Sequence, residues 1–283
     1  MSRTSDLILT AIAPAIWGST YLVTTELLPA GYPITISLLR ALPAGLLLLV
    51  LVRQLPSNAE MWAKVFILGA FNFSIFWWLL FIAAYRLPGG TAATLGALQP
   101  LIVIFLAQIF LGSKTHAISI AAAIAGIGGV ALLVLSPQAS LDTIGIMAGL
   151  GGALSMAFGT VLSRRWQPPV SPLTFTAWQL TAGGILLLPP ALWLEPSLPE
   201  LTRANIFGII YLGLIGAALT YILWFRGIAR FEPSIISPLG FLSPMTAVIL
   251  GWLVLGQNLS LWQFFGIVIV LGSVWVSQIA GRV

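Results

Sequence analysis

Ten apolar runs, each about as long as a bilayer crossing, follow one another along this chain with little between them. A helix needs roughly 20 apolar residues to cross a hydrocarbon core, because each residue advances it by only about 1.5 Å. Cutting the sequence at its charges and turn residues predicts spans at Leu7–Thr25, Pro33–Val52, Trp62–Tyr85, Gly89–Leu111, His116–Leu135, Asp142–Ser163, Pro172–Trp193, Ala204–Phe225, Ser234–Leu255 and Leu261–Ile279. The separators are Leu28-Pro29-Ala30-Gly31, Leu55-Pro56-Ser57-Asn58, Leu87-Pro88-Gly89-Gly90, Ser136-Pro137-Gln138, Gln167-Pro168-Pro169 and Glu195-Pro196-Ser197. Each puts Pro, Gly or a small polar residue where a helix should stop. No segment between spans is long enough for a soluble domain.

Charge argues the same way. Only 7% of the 283 residues are charged, against about 25% in soluble domains, whose surfaces face water. So poor a complement cannot coat a soluble protein of this size, and most of the outer surface is expected to face lipid. The formal charge of +5 comes from basic residues scattered singly, apart from Arg164-Arg165. That pattern suits loop residues held in the cytoplasm better than a nucleic-acid surface. Cysteine is absent, so disulfides, thiolate metal sites and cysteine nucleophiles are excluded. The residues Met1-Ser2-Arg3-Thr4-Ser5-Asp6 lead into an apolar run without a clear small-residue cleavage site. That run is expected to be retained as the first span.

Basic residues also orient the chain. With the N-terminus inside, Arg3, Arg53, Lys64, Lys114, Arg164, Arg165, Arg226, Arg230 and Arg282 fall at cytoplasmic ends, and only Arg86 and Arg203 at outer ends. Both termini are therefore expected in the cytoplasm of a cell that carries the protein in its inner membrane.

The sequence repeats itself. A shift of 144 residues pairs Gly69 with Gly213, Phe81 with Phe225, Arg86 with Arg230, Pro100 with Pro244, Leu111-Gly112 with Leu255-Gly256, Gly128 with Gly272 and Val130 with Val274. Near the starts of the halves a shift of 139 pairs Pro33 with Pro172, Thr35 with Thr174 and Gly45 with Gly184. The expected architecture is all-α, with repeats at residues 1–137 and 138–283. Five spans per repeat, an odd number, would set the two halves in opposite orientation. Inverted repeats are the architecture of alternating access, with solute bound near the midplane between them.

In these features the chain resembles the EamA-type branch of the drug/metabolite transporter superfamily. The residues that carry the resemblance are Trp17-Gly18-Ser19, Arg40, and Tyr85 to Gly112 with its Gln99-Pro100, echoed by Arg230 to Gly256. The resemblance implies ten helices in two five-helix repeats. The aromatic interior is most similar to the aromatic amino acid exporters. In place of the Gly-Glu common in the family after the fourth and ninth spans stand Gly112-Ser113 and Gly256-Gln257, so no role for those glutamates carries over.

Candidate site residues are few. Arg40 is the one charge well inside a span. It could reach the interface or pair with Glu26, or contact a substrate carboxylate. Asn72 and Gln99 lie deep in the third and fourth spans among other neutral polar residues, including Ser19. Such residues bridge helices or line a solute path. Trp17, Trp77, Trp178, Tyr221 and Trp224 lie inside the interfacial belt, and the 144 shift sets Trp77 on Tyr221. They either face lipid or offer ring faces to apolar, aromatic or cationic solutes. Pro100 and Pro244 are symmetric candidates for hinges that bend cavity-lining helices.

The expected function is export of small organic solutes, with aromatic or other apolar amino acids foremost. A multidrug or cation exporter of the same fold and a non-transport membrane scaffold are the alternatives. No carboxylate lies near mid-span, so solute running down its own gradient is expected rather than a buried proton relay. No enzyme chemistry, cofactor or metal is expected from one histidine and no mid-membrane acid, and a monomer in the lipid bilayer is the expected unit.

Overall fold

The computed structural model describes residues 3–87, 95–114, 116–134, 142–256 and 260–280. The separators Pro88-Gly89-Gly90 and Ser136-Pro137-Gln138, the expected repeat boundary with them, and also Gln257 and Arg282 lie outside the described residues. All the regular structure described is helical. The segments are α1 (Arg3–Leu27), α2 (Pro33–Val52), α3 (Ala59–Gly69), α4 (Ile75–Arg86), α5 (Gln99–Leu111), α6 (Ala117–Val134) and α7 (Thr143–Arg165). There follow α8 (Pro172–Leu194), α9 (Arg203–Gly213), α10 (Thr220–Arg230), the short α11 (Pro233–Ile236), α12 (Leu242–Leu255) and α13 (Leu261–Ala280).

Seven of the resulting helical stretches are long and apolar enough to cross a membrane, and three shorter apolar helices lie at Gln99–Leu111, Ala117–Leu132 and Leu261–Ser277. Their ends carry the local chemistry that stops helices. Asn58, Asp142 and Ser171 accept from the backbone N–H three residues on, and Thr202 and Asn205 cap each other reciprocally. Gly112 and Gly256 close α5 and α12 in the left-handed region, at φ 64° and 65°, where a Cβ would be strained.

Two π-helical turns interrupt the bundle. Ala70–Ser74 joins α3 to α4, and Leu214–Leu219 joins α9 to α10. They begin at positions related by the 144-residue offset of the sequence. A π turn adds a residue to the helix and releases backbone groups from the regular ladder, which is why such turns recur at functional sites.

The packing has the same two-fold logic. α2 lies on α8 and α6 on α13, each segment against its own counterpart. The α4–α7 contact recurs as α10–α1, the α5–α7 contact as α12–α1, and the α3–α8 contact as α9–α2. Small residues let the backbones close in: a Cβ on Gly45 would strike Thr181, and one on Gly184 would strike Leu42. The outer faces carry exposed Leu, Ile, Phe and Trp along many helices, as a lipid-facing surface requires.

Candidate functional site

The helix ends define two ends of the bundle. At one, Asp6 meets Arg226 and Arg230, Arg164 donates to the carbonyls of Ile228 and Ala229, and Ser113 donates to Glu232. At the other, Asn205 donates to the Leu27 carbonyl, Glu195 accepts from the backbone N–H groups of Ile34 and Thr35, and Arg86 faces Asp142. The Asp6 end is tightly tied. Asp6 is buried (8% exposed), and its Arg226 partner lies at 2.6 Å. The Arg86–Asp142 pair at the Leu27 end is longer, 3.4 Å, and both side chains are open to solvent.

A cavity of about 500 Å³ opens from the Leu27 end into the bundle. Thr24, Thr25 and Leu28 border its outer part, and Trp17, Arg40, Trp77 and Tyr221 line it further in. Both halves contribute: α1, α2, α4 and the start of α5 from the first, α7, α10 and the start of α12 from the second. The walls are mainly apolar and aromatic. Trp17 lies 4.9 Å from Tyr221 and Tyr221 4.6 Å from Phe73, centroid to centroid, so the rings brace one another.

Arg40 is the one charged side chain among the described lining residues. It is 3% exposed and turns into the bundle rather than up to the interface. Its Nη2 donates to the Gly216 carbonyl at 2.8 Å, and its guanidinium carbon stands 4.4 Å above the Trp77 ring centroid, a cation–π contact. Glu26, the partner considered from sequence, is exposed and accepts from Thr25. The π turn explains why the Gly216 carbonyl can serve Arg40. The Thr220 N–H, which a regular helix would send there, goes to Ile215 and Ala217, while the Thr220 hydroxyl and Arg40 take the carbonyl. Trp17 Nε1 in turn donates to Thr220 Oγ1 at 2.9 Å. Thr20, Thr24 and Gln99 also line the cavity, and Thr20 Oγ1, Thr24 Oγ1 and Gln99 Nε2 have no partner among the described residues.

Of the residues singled out from sequence, Trp17, Arg40, Trp77, Gln99, Pro100, Tyr221 and Pro244 line this cavity. Four others lie elsewhere. Ser19 pairs with the Tyr211 hydroxyl at 2.7 Å. Asn72 is fully buried against Ser163 and Gln179. Trp178 donates to the Gln54 carbonyl at the Asp6 end and packs in a separate cluster with Val65, Leu68 and Phe175. Trp224 is buried behind Trp17, 5.1 Å from it. Pro100 stands in the first turn of α5, and Pro244 lies in mid-course of the continuous helical stretch Pro233–Leu255, at the start of α12. Each marks where a span changes from tight turns to α-helix. Gly96, Gly240 and Phe241 of those broken stretches border the cavity.

Sequence reasoning missed both π turns and the Asp6 cluster. What the sequence did offer was the pairing of the two crossings: the 139 offset that pairs Gly45 with Gly184 also sets Arg40 on Gln179, and the 144 offset sets Asn72 on Gly216.

A bundle of lipid-facing helices that encloses a solute-sized cavity between two alike halves is an architecture suited to a membrane transporter of small solutes, and the family bears that class out. The chain belongs to the EamA-like transporter family, whose model matches it twice, at residues 4–135 and 143–278. It is 45% identical over 269 residues to Protein PecM of Dickeya dadantii, covering 94% of this chain and 90% of that protein. It is 26% identical to the uncharacterized inner membrane transporter YedA of Escherichia coli K12, covering 90% and 85% of the two chains. Against the uncharacterized transporter YvbV of Bacillus subtilis the identity is 24%, with 97% and 92% covered. A crystal structure of a protein 20% identical overlays with a TM-score of 0.84, covering 98% of this chain and 99% of the other, and shows that the fold is shared.

Proposed function

We propose that the chain crosses the inner membrane ten times as two inverted five-helix repeats, residues 1–137 and 138–283, and exports small organic solutes by alternating access. The exchanged helix pairings and the paired π turns support the inverted repeat. The distribution of basic residues supports a cytoplasmic Asp6 end, which makes this conformation open to the outside and closed within. Its Asp6 cluster and its Arg86–Asp142 pair join corresponding corners of the two halves, α10 to α1 and α4 to α7. One is tight where the bundle is closed and the other loose where it is open.

The solute we propose is an amino acid with an aromatic or other apolar side chain. One observation carries this reading: a cavity walled by Trp17, Trp77 and Tyr221 whose one charged lining residue among those described is Arg40. Aromatic faces suit a ring or an aliphatic body, and a guanidinium suits a carboxylate. The same cation argues against cationic drugs as the main cargo. Proteoliposomes loaded with labelled tryptophan and phenylalanine test the reading. Saturable efflux that tryptophan competes for and its methyl ester does not is expected. Efflux of a quaternary ammonium compound in preference to either amino acid would overturn it.

A further inference from the structure

Asn72, Ser163 and Gln179 form a polar node that the open cavity does not reach. Asn72 Nδ2 donates to Gln179 Oε1 at 2.8 Å and to Ser163 Oγ at 3.1 Å. Asn72 Oδ1 and Gln179 Nε2 are left without a partner among the described residues, although both side chains are fully buried. Turning both amides over leaves the same remainder, one donor and one acceptor. Burying such groups unpaired is costly, and sites that keep them need a reason.

The repeat supplies one. Gln179 lies seven residues into α8, as Arg40 lies seven into α2, and Asn72 occupies in its π turn the place of Gly216 in the other. The Asn72–Gln179 contact is therefore the counterpart of Arg40 on the Gly216 carbonyl. Arg40 borders the cavity open at the Leu27 end. The node lies toward the closed Asp6 end, where Ser163 is followed by Arg164 on the Ile228 and Ala229 carbonyls.

Resting on the alternating-access reading above, we propose that Asn72 and Gln179 are the second half of the solute site. They line the cavity that opens at the Asp6 end when the halves exchange conformations. The ligand class is the zwitterionic head of an amino acid. Its ammonium donates to Asn72 Oδ1 and its carboxylate accepts from Gln179 Nε2, so the groups orphaned in one state are paired in the other. Solute thus passes between a cationic contact and a neutral amide pair as the transporter turns over.

The chain has no cysteine, so single cysteines can be read without background. Ser163→Cys is expected to react with a membrane-impermeant maleimide in inside-out vesicles and not in spheroplasts, and tryptophan should slow that reaction several-fold. Combining it with Asp6→Asn should speed labelling from the same side. A second variant, Gln179→Leu, should raise the KM for tryptophan entering from the Asp6 end about tenfold and leave the KM from the Leu27 end unchanged. Labelling from the Leu27 end, or from neither end even with Asp6→Asn, overturns the proposal. So does a KM that moves equally at both ends, or labelling that tryptophan leaves unchanged in vesicles that carry tryptophan. Vesicles that label from the Asp6 end but carry no tryptophan sink the substrate class above and leave the location of this site standing.

Discussion

Two crossings in this protein have the same backbone and different chemistry. Where α2 passes the Leu214–Leu219 turn, a guanidinium rests on a bare glycine carbonyl and a tryptophan ring, at the edge of open space. Where α8 passes the Ala70–Ser74 turn, two amides and a hydroxyl close on one another with no space between. Duplication accounts for the shared geometry, and single side chains account for the divergence. Gly216 leaves room for a long cation to arrive, whereas Asn72 fills the equivalent place with its own amide. Gly159 must be bare for that amide to fit, since a Cβ there would collide with Asn72. On the reading proposed above, the comparison teaches that the repeat sets where a solute can be held on each side, and that the residues at two positions set how strongly.

The largest way to break the comparison is to remove its charge. Arg40→Leu should lower kcat/KM for an amino acid about 100-fold, near 2.8 kcal/mol at about 1.4 kcal/mol per factor of ten. Arg40→Lys keeps the charge but loses the fork and the stacking on Trp77, and should recover only part of the rate. Equal losses for tryptophan and for its uncharged analogues in a flux assay would show that Arg40 supports the fold and does not read the carboxylate.

Next comes the closed crossing. Gly159→Ala forces a methyl group onto the Asn72 amide in a packed interior, at a cost of about 1–3 kcal/mol. A lower thermal midpoint in detergent should report it, and Asn72→Ala in the same chain should relieve most of the loss. If the two changes simply add, Gly159 and Asn72 are not in contact as described.

The gates sharpen the comparison more gently. Asp6→Asn takes the shared acid from Arg226 and Arg230 and should move the population several-fold toward the state closed at the Leu27 end. Asp142→Asn removes a longer, exposed pair and should move it little, because such pairs contribute little in water. Maleimide accessibility of Thr24→Cys, on the outer part of the cavity, measures both. A larger response to Asp142→Asn would reverse the assignment of which gate holds this state.

Much of this was legible in the sequence. Apolar runs survive any detail of packing, so the helices fall close to where hydropathy places them, α2 at the same residues. The 144 offset is visible because Gly, Pro and Arg recur at matching turns and crossings of the two halves. The π turns were not legible, since adding one residue to a helix leaves no mark in hydropathy. Asp6 gave no sign of its role, because its partners lie 220 and 224 residues away and only the folded bundle brings them in. Depth alone could not sort the aromatics. Trp77 and Trp178 both sit inside spans, yet one borders the cavity and the other is tied to the Gln54 carbonyl.

The smallest expected effect is an absent one, and it bears on energy coupling. We propose a facilitator, in which solute runs down its own gradient. A proton-driven exchanger needs a group that titrates and meets both sides in turn, usually a carboxylate or histidine within the membrane. At the open crossing the ionisable group is Arg40, which stays protonated at any pH a cell can tolerate. Its counterpart at the closed crossing is Gln179, hydrogen-bonded to Asn72, and neither amide titrates at all. The two crossings differ in charge, then, but neither changes its charge as the halves exchange. Asp6 does titrate, and it is shared by Arg226 and Arg230, the arginines of its own gate, with Arg3 three residues before it on α1. Protonating it would loosen a gate without moving a proton through the site. An imposed pH gradient should therefore drive no accumulation. Proteoliposomes with equal tryptophan on both sides and a pH step across the membrane decide the point: no net movement is expected, and uphill movement would show that a proton travels with the solute by a route these two crossings do not contain.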